Sequence, residues 1–158
     1  MLTLMKLIED GWWQQMSNFD IDFPQWVNYG NSNKEIASKM EELITKQWSP
    51  FNGEKMANVF IFCMAYAFAK GKTPEKPPGS GGSLPGTAFD SEMRNHMKCV
   101  AICEKKDLEV AINANETVKI CEGYAYAGFA EVYDKIANSK STISPQTRLE
   151  TLIKEISS

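Results

Sequence analysis

Met56-Ala57-Asn58-Val59-Phe60-Ile61-Phe62-Cys63-Met64-Ala65-Tyr66-Ala67-Phe68-Ala69 is the stretch on which the fold turns. Asn58 alone interrupts its apolar character. A helix that is apolar on every side has no face to offer water, so other elements must surround it. Fourteen helical residues rise only about 21 Å, well short of the roughly 30 Å hydrocarbon core of a bilayer. The stretch therefore reads as the buried central helix of a globular domain. Ser49-Pro50 supplies its start, because proline at the first helical position lacks only an N–H that would stay unpaired anyway. The pattern predicts helix over residues 50–70.

Upstream, Met5, Ile8, Trp12 and Met16 recur at helical spacing over residues 2–16, weakened by Gly11. Residues 18–24 alternate polar and apolar before Pro24, which predicts an extended connector or a short edge strand. Ser32 followed by Glu35 forms a capping box, and Ile36, Met40, Leu43 and Ile44 continue one apolar face to a close near Trp48. Downstream, residues 71–87 hold four prolines and five glycines and predict a flexible loop. A helix over 89–104 carries Met93, Met97, Val100 and Ala101, and residues 108–112 form one or two further turns. The helix over 116–137 places Val118, Cys121, Ala125, Phe129, Val132 and Ile136 on one stripe. Ser144-Pro145 starts the last, with Leu149, Leu152, Ile153 and Ile156 inward. Residues 1–158 thus read as a single all-α domain, an irregular bundle of about six helices. Residues 1–30 contribute an N-terminal helix plus connector, and 71–87 the flexible loop.

Charge narrows the function classes. The chain carries 17 Lys/Arg against 20 Asp/Glu, a net charge of −3. Residues 1–79 hold 8 against 9 and residues 80–158 hold 9 against 11, so neither half is basic. Proteins that bind the phosphate backbone draw affinity from counterion release and show a basic excess. Direct nucleic-acid binding is not indicated, and Lys70, Lys72 and Lys76 are the one dense basic candidate. Cys63, Cys99, Cys103 and Cys121 sit within apolar helical runs. They read as reduced thiols acting as small hydrophobes in a cytoplasmic protein without a signal peptide or a membrane association.

The chemical candidates are few. Gly79-Ser80-Gly81-Gly82-Ser83-Leu84 follows no strand and lacks a Lys-Ser/Thr signature, so it reads as a surface loop and not a phosphate cradle. His96, Cys99 and Cys103, three and four residues apart, project from one side of a helix. With Cys121 from the next long helix they could form a tetrahedral zinc site. The competing reading, in which the thiols are inert core residues, is preferred, because the paired spacing in turns typical of structural zinc is missing. His96 is the only histidine, which leaves triad chemistry without a second base, and Glu41-Glu42 reads as a solvated face. No catalytic residue and no cofactor are expected. Trp12-Trp13 points two rings about 100° apart, so one can stay exposed as an anchor for a partner. Glu122 falls inside the apolar stripe of its helix, where a carboxylate demands a specific donor.

Three stretches carry a resemblance. They are residues 58–67 leading to Gly71-Lys72, then residues 100–104, then Cys121-Glu122-Gly123-Tyr124-Ala125-Tyr126-Ala127-Gly128-Phe129. Together, over about residues 50–138, they resemble small helical accessory proteins found beside DNA phosphorothioation (Dnd-type) modification and restriction systems. The shared features are an apolar helix ending in a Gly-basic-x-Pro loop and an acidic-x-Tyr-Ala-x-x-Gly-apolar motif, matched by Glu122, Tyr124, Ala125, Gly128 and Phe129. The resemblance implies a setting in prokaryotic DNA modification or phage defence and supplies no catalytic residue. The expectation is a non-catalytic accessory protein that binds a protein partner. The alternative is a zinc- or thiol-site protein, structural or hydrolytic, built on His96, Cys99, Cys103 and Cys121. Oligomeric state stays open, a homo-oligomer included.

Overall fold

A computed structural model describes residues 18–79, 82–138 and 143–157. Among them are six α-helices: α1 (Phe19–Asp22), α2 (Lys34–Thr45), α3 (Met56–Ala69), α4 (Ser91–Lys105), α5 (Ala114–Ala137) and α6 (Pro145–Ser157). The strands β1 (Trp26–Val27) and β2 (Leu84–Pro85) pair antiparallel, Trp26 opposite Pro85 and Val27 opposite Leu84. The fold is an all-α bundle with one minimal sheet. No helix among the described residues is long and apolar enough to cross a membrane.

The apolar stretch of the sequence is α3, and α3 against α5 is the most extensive helix–helix contact among the described residues. Val59, Phe60, Cys63, Met64, Tyr66 and Ala67 are buried along α3, and the predicted α5 stripe of Val118, Cys121, Ala125, Phe129, Val132 and Ile136 is buried throughout. Gly128 sets the approach of the two helices. A Cβ there would overlap the carbonyl oxygen of Cys63 and stand 3.0 Å from the Cβ of Ala67. Each fully buried large apolar side chain contributes about 1.5–3 kcal/mol, so this seam carries much of the stability.

Several element boundaries differ from the expectations. The α2 cap is Asn33, whose side-chain oxygen accepts from the Glu35 N–H at 3.0 Å, not Ser32. The helix stops at Thr45, short of Trp48. Residues 49–53 form a turn: the Ser49 hydroxyl accepts from the Phe51 N–H, and Gly53 sits at φ 84°. That left-handed position favours glycine and delays α3 to Met56. Residues 19–22 form one helical turn instead of an extended connector, because Phe19 and Phe23, four apart, both enter the core. Over so few residues their alternation with aspartates mimics a strand.

The described residues of the loop expected to be flexible, 71–79 and 82–87, make several contacts with the bundle. Pro77, Leu84 and Gly86 are buried, and residues 86–88 form a 3-10 turn. Arg94 of α4 holds this region together. It donates to the carbonyls of Phe89 (2.9 Å) and Gly86 (3.0 Å), pairs with Asp20 at 3.0 Å, and lies 4.0 Å over the Phe23 ring. On α6, Leu152 is buried but Ile153 is 43% exposed, against expectation. Arg148 takes an inward position one turn before Leu152. It donates to the Ile136 carbonyl at 2.8 Å, satisfying the negative C-terminal end of α5.

Candidate functional site

Asn28 organises a cleft on one side of the bundle. Its backbone N–H donates to the Glu122 carboxylate at 2.6 Å, its side-chain amide donates to the Pro78 carbonyl at 3.2 Å, and its side-chain oxygen accepts from the Gly30 N–H at 2.8 Å. One residue thus ties the segment after β1 to α5 and to the proline-rich loop. Gly30 allows the approach: it sits at φ 95°, and a Cβ there would come within 2.7 Å of the Tyr126 ring. The loop is fastened a second time by the Glu75 N–H, which donates to the Gly123 carbonyl of α5 at 3.0 Å.

These contacts leave a cleft of about 700 Å³ between β1, the proline loop, the end of α4 and the first half of α5. Trp26, 51% exposed, stands at its edge. Its carboxylates are Glu75, Glu104, Glu116 and Glu122, and its cations are Lys76, Lys105 and Lys119. Lys105 and Glu116 pair at 3.9 Å. Glu104 accepts from the Tyr124 hydroxyl. Burial, followed by that bond to a carboxylate, pushes the Tyr124 hydroxyl up to about 12 and keeps it a donor. Burial also raises Glu122, while the Asn28 N–H and nearby Lys119 act in the opposite direction.

Glu122 therefore has the specific donor its position demanded, a backbone N–H. What it fixes is the β1 segment against α5, not one helix against another. The other residues of the Glu122-to-Phe129 motif have packing reasons too. Ala125 and Phe129 are buried, Gly128 admits α3, and Tyr124 reaches across to α4. Sequence reasoning missed Asn28, Trp26 and Glu104. Trp26 and Asn28 fall in the segment read only as a connector and Glu104 at the close of a predicted helix, so none of them marks a site until the chain folds.

The four-residue metal set is not assembled. Cys121 is buried, its thiol donating to the Met97 carbonyl at 3.4 Å, whereas Cys99, Cys103 and His96 lie on the outward side of α4. Among the described residues no three His, Cys, Asp or Glu side chains are grouped to hold a metal ion. Cys99 and Cys103 are exposed, which corrects their reading as core thiols. They border, with His96, Ile61, Phe62 and Phe68, an apolar groove of about 470 Å³. Cys63 and Cys121 are core thiols, and burial raises both far above the ordinary thiol range. Glu42 is not merely solvated either, since it accepts from the Tyr133 hydroxyl. Trp12 and Trp13 lie outside the described residues.

Two of the three lysines of the basic candidate are engaged in ion pairs. Lys72 pairs with Glu131 at 2.7 Å and Lys70 with Glu155 at 3.6 Å, while Lys76 borders the cleft. Comparison with known proteins finds no matching family model, no matching curated protein and no matching solved structure.

Proposed function

We propose that this protein is a non-catalytic binding protein whose cleft beneath Trp26 receives a segment of a protein partner, and that its setting is a DNA phosphorothioation system. The observation that carries the reading is Trp26. It is a large aromatic side chain held half in solvent by a strand pair, at the edge of a cleft whose walls are fixed by backbone hydrogen bonds. Tryptophan in such a position supplies large contact area at small conformational cost, which is why it recurs among binding hot spots. Lys70 and Lys72, engaged with carboxylates, favour a protein partner over nucleic acid. The setting rests on the resemblance of residues 50–138 alone.

The test is co-expression with the phosphorothioation modification and restriction proteins of the same genome, followed by affinity purification. A stoichiometric complex is expected, lost in Trp26→Ala and kept in Ile153→Ala. The gene neighbourhood is expected to hold modification or restriction genes. No complex with any of these proteins, together with unchanged phosphorothioate content and restriction after deletion of the gene, overturns the reading.

A further inference from the structure

Two carboxylates in the cleft are held in place by neutral donors. Glu122 accepts the Asn28 backbone N–H through one oxygen, and Glu104 accepts the Tyr124 hydroxyl through one oxygen. Each keeps a second oxygen, and neither belongs to an ion pair among the described residues. Glu75 on the proline loop is likewise without an ion pair among them. On the other side of the balance stand Lys76 and Lys119, since Lys105 already faces Glu116. Three carboxylates against two lysines leave the cleft with a net negative charge, beside an exposed indole.

A neutral donor fixes a carboxylate without cancelling its charge. The geometry points to a cationic side chain as the occupant of this cleft, and we infer that it is an arginine of the partner segment, stacked on Trp26 and bonded to Glu104 and Glu122. This inference rests on the binding reading above. Arginine is favoured over lysine for two reasons. Its planar guanidinium stacks on an aromatic face, and its fork of donors reaches carboxylate oxygens in pairs, whereas an ammonium acts as a point charge. The site also discriminates by what it leaves unpaired. A neutral side chain entering the cleft would desolvate the spare oxygens of Glu104 and Glu122 without replacing their water.

The probe is the blocked tripeptide acetyl-Gly-Arg-Gly-amide, titrated into the full chain labelled with nitrogen-15. Its citrulline counterpart, of the same shape without the charge, is the control, and a glutamate counterpart is the reverse test. Saturable shifts are expected for the Trp26 indole N–H and the Asn28 and Gly123 amides with the arginine peptide alone, at a millimolar Kd. Glu104→Gln, which keeps an acceptor for the Tyr124 hydroxyl, should weaken binding about threefold or more, the effect of losing one surface charge. Raising salt from about 0.05 M to about 0.5 M should weaken it as well, because the charges are partly exposed. Equal shifts from the citrulline peptide, stronger shifts from the glutamate peptide, or no saturable shift at Trp26 would each overturn the inference. If the arginine peptide fails while Trp26→Ala still abolishes the protein complex, the binding reading survives without its arginine. If the complex itself never forms but the peptide binds, the cleft is a cation site and the protein-partner reading falls.

Discussion

Glu122 and Glu131 lie nine residues apart on the same helix and are held in opposite ways. Glu131 sits among cations: Lys72 at 2.7 Å, Lys135 at 3.4 Å, and through Lys135 the carboxylate of Glu155 on α6. Lys70 joins Glu155 at 3.6 Å, and the Tyr66 hydroxyl donates to it at 3.2 Å. Every charge in that cluster faces its opposite, and the cluster binds α3, α5, α6 and the start of the proline loop to one another. Glu122, half-buried, has a neutral backbone N–H as its hydrogen-bond donor, with Lys119 acting on it only at longer range. A carboxylate answered by a cation has its charge neutralised within the fold. A carboxylate answered by an N–H keeps its charge for a ligand. The helix thus has one end that closes the structure and one that faces a cleft.

The widest disturbance should come from Gly128, which lies between the two ends. Gly128→Ala forces a methyl group onto the backbone of Cys63 and separates α3 from α5. Overpacking of this kind costs about 1–3 kcal/mol, only partly offset by roughly 1 kcal/mol of helix propensity. Because the contact is with backbone, the upper part of that range is expected in a denaturant melt. A melt that overlays the parent would show that the seam between the two ends is not tight.

Next in size is Glu122 itself. Glu122→Ala strands the Asn28 N–H and should destabilise by about 1–3 kcal/mol. Glu122→Gln should cost less, since an amide oxygen still accepts from a neutral donor. Equal losses for the two variants would mean that charge, not the hydrogen bond, holds the β1 segment. Glu131→Gln should cost about 1 kcal/mol or less, as expected for a partly exposed ion pair.

Acid should separate the two carboxylates by sign. Lysines hold Glu131 below the ordinary carboxylate range in the folded state, so its contribution is present above about pH 4 and is lost as pH falls through the lowered value. The penalty of Glu131→Gln should therefore shrink on going from neutral pH toward pH 3. Burial raises Glu122, so its contribution is fullest below the unfolded value and is lost as pH rises through the folded one. The penalty of Glu122→Gln should grow on acidification. Parallel pH dependences of the two variants would collapse the comparison.

The smallest effect on stability belongs to the thiols. Cys99 and Cys103 should react with an aromatic disulfide reagent in the native protein with little change in the melting temperature. Cys63 and Cys121 should react only after unfolding. Four fast thiols in native buffer would contradict the packing of α3 against α5.

The sequence by itself determined the class of fold and its centre. An apolar run with no polar face has to become a surrounded helix, and a stripe repeated every three to four residues has to become a helix packed by one side, whatever lies elsewhere. It also determined that Glu122 must find a donor, because a carboxylate in an apolar stripe cannot stay unanswered. It misjudged residues 19–22, where four residues are too few to separate a period of 2 from one of 3.6. The tertiary structure alone decided that the donor is the Asn28 N–H, 94 residues away, and that Trp26, Glu104 and Glu75 meet around one space. It alone decided that Cys121 is buried while Cys99 and Cys103, which helical spacing had placed on one side of their helix with His96, are exposed. The physical reason is the same in each case. Periodicity and capping are local energies written over a few residues, whereas which turn meets which helix depends on how the whole bundle closes.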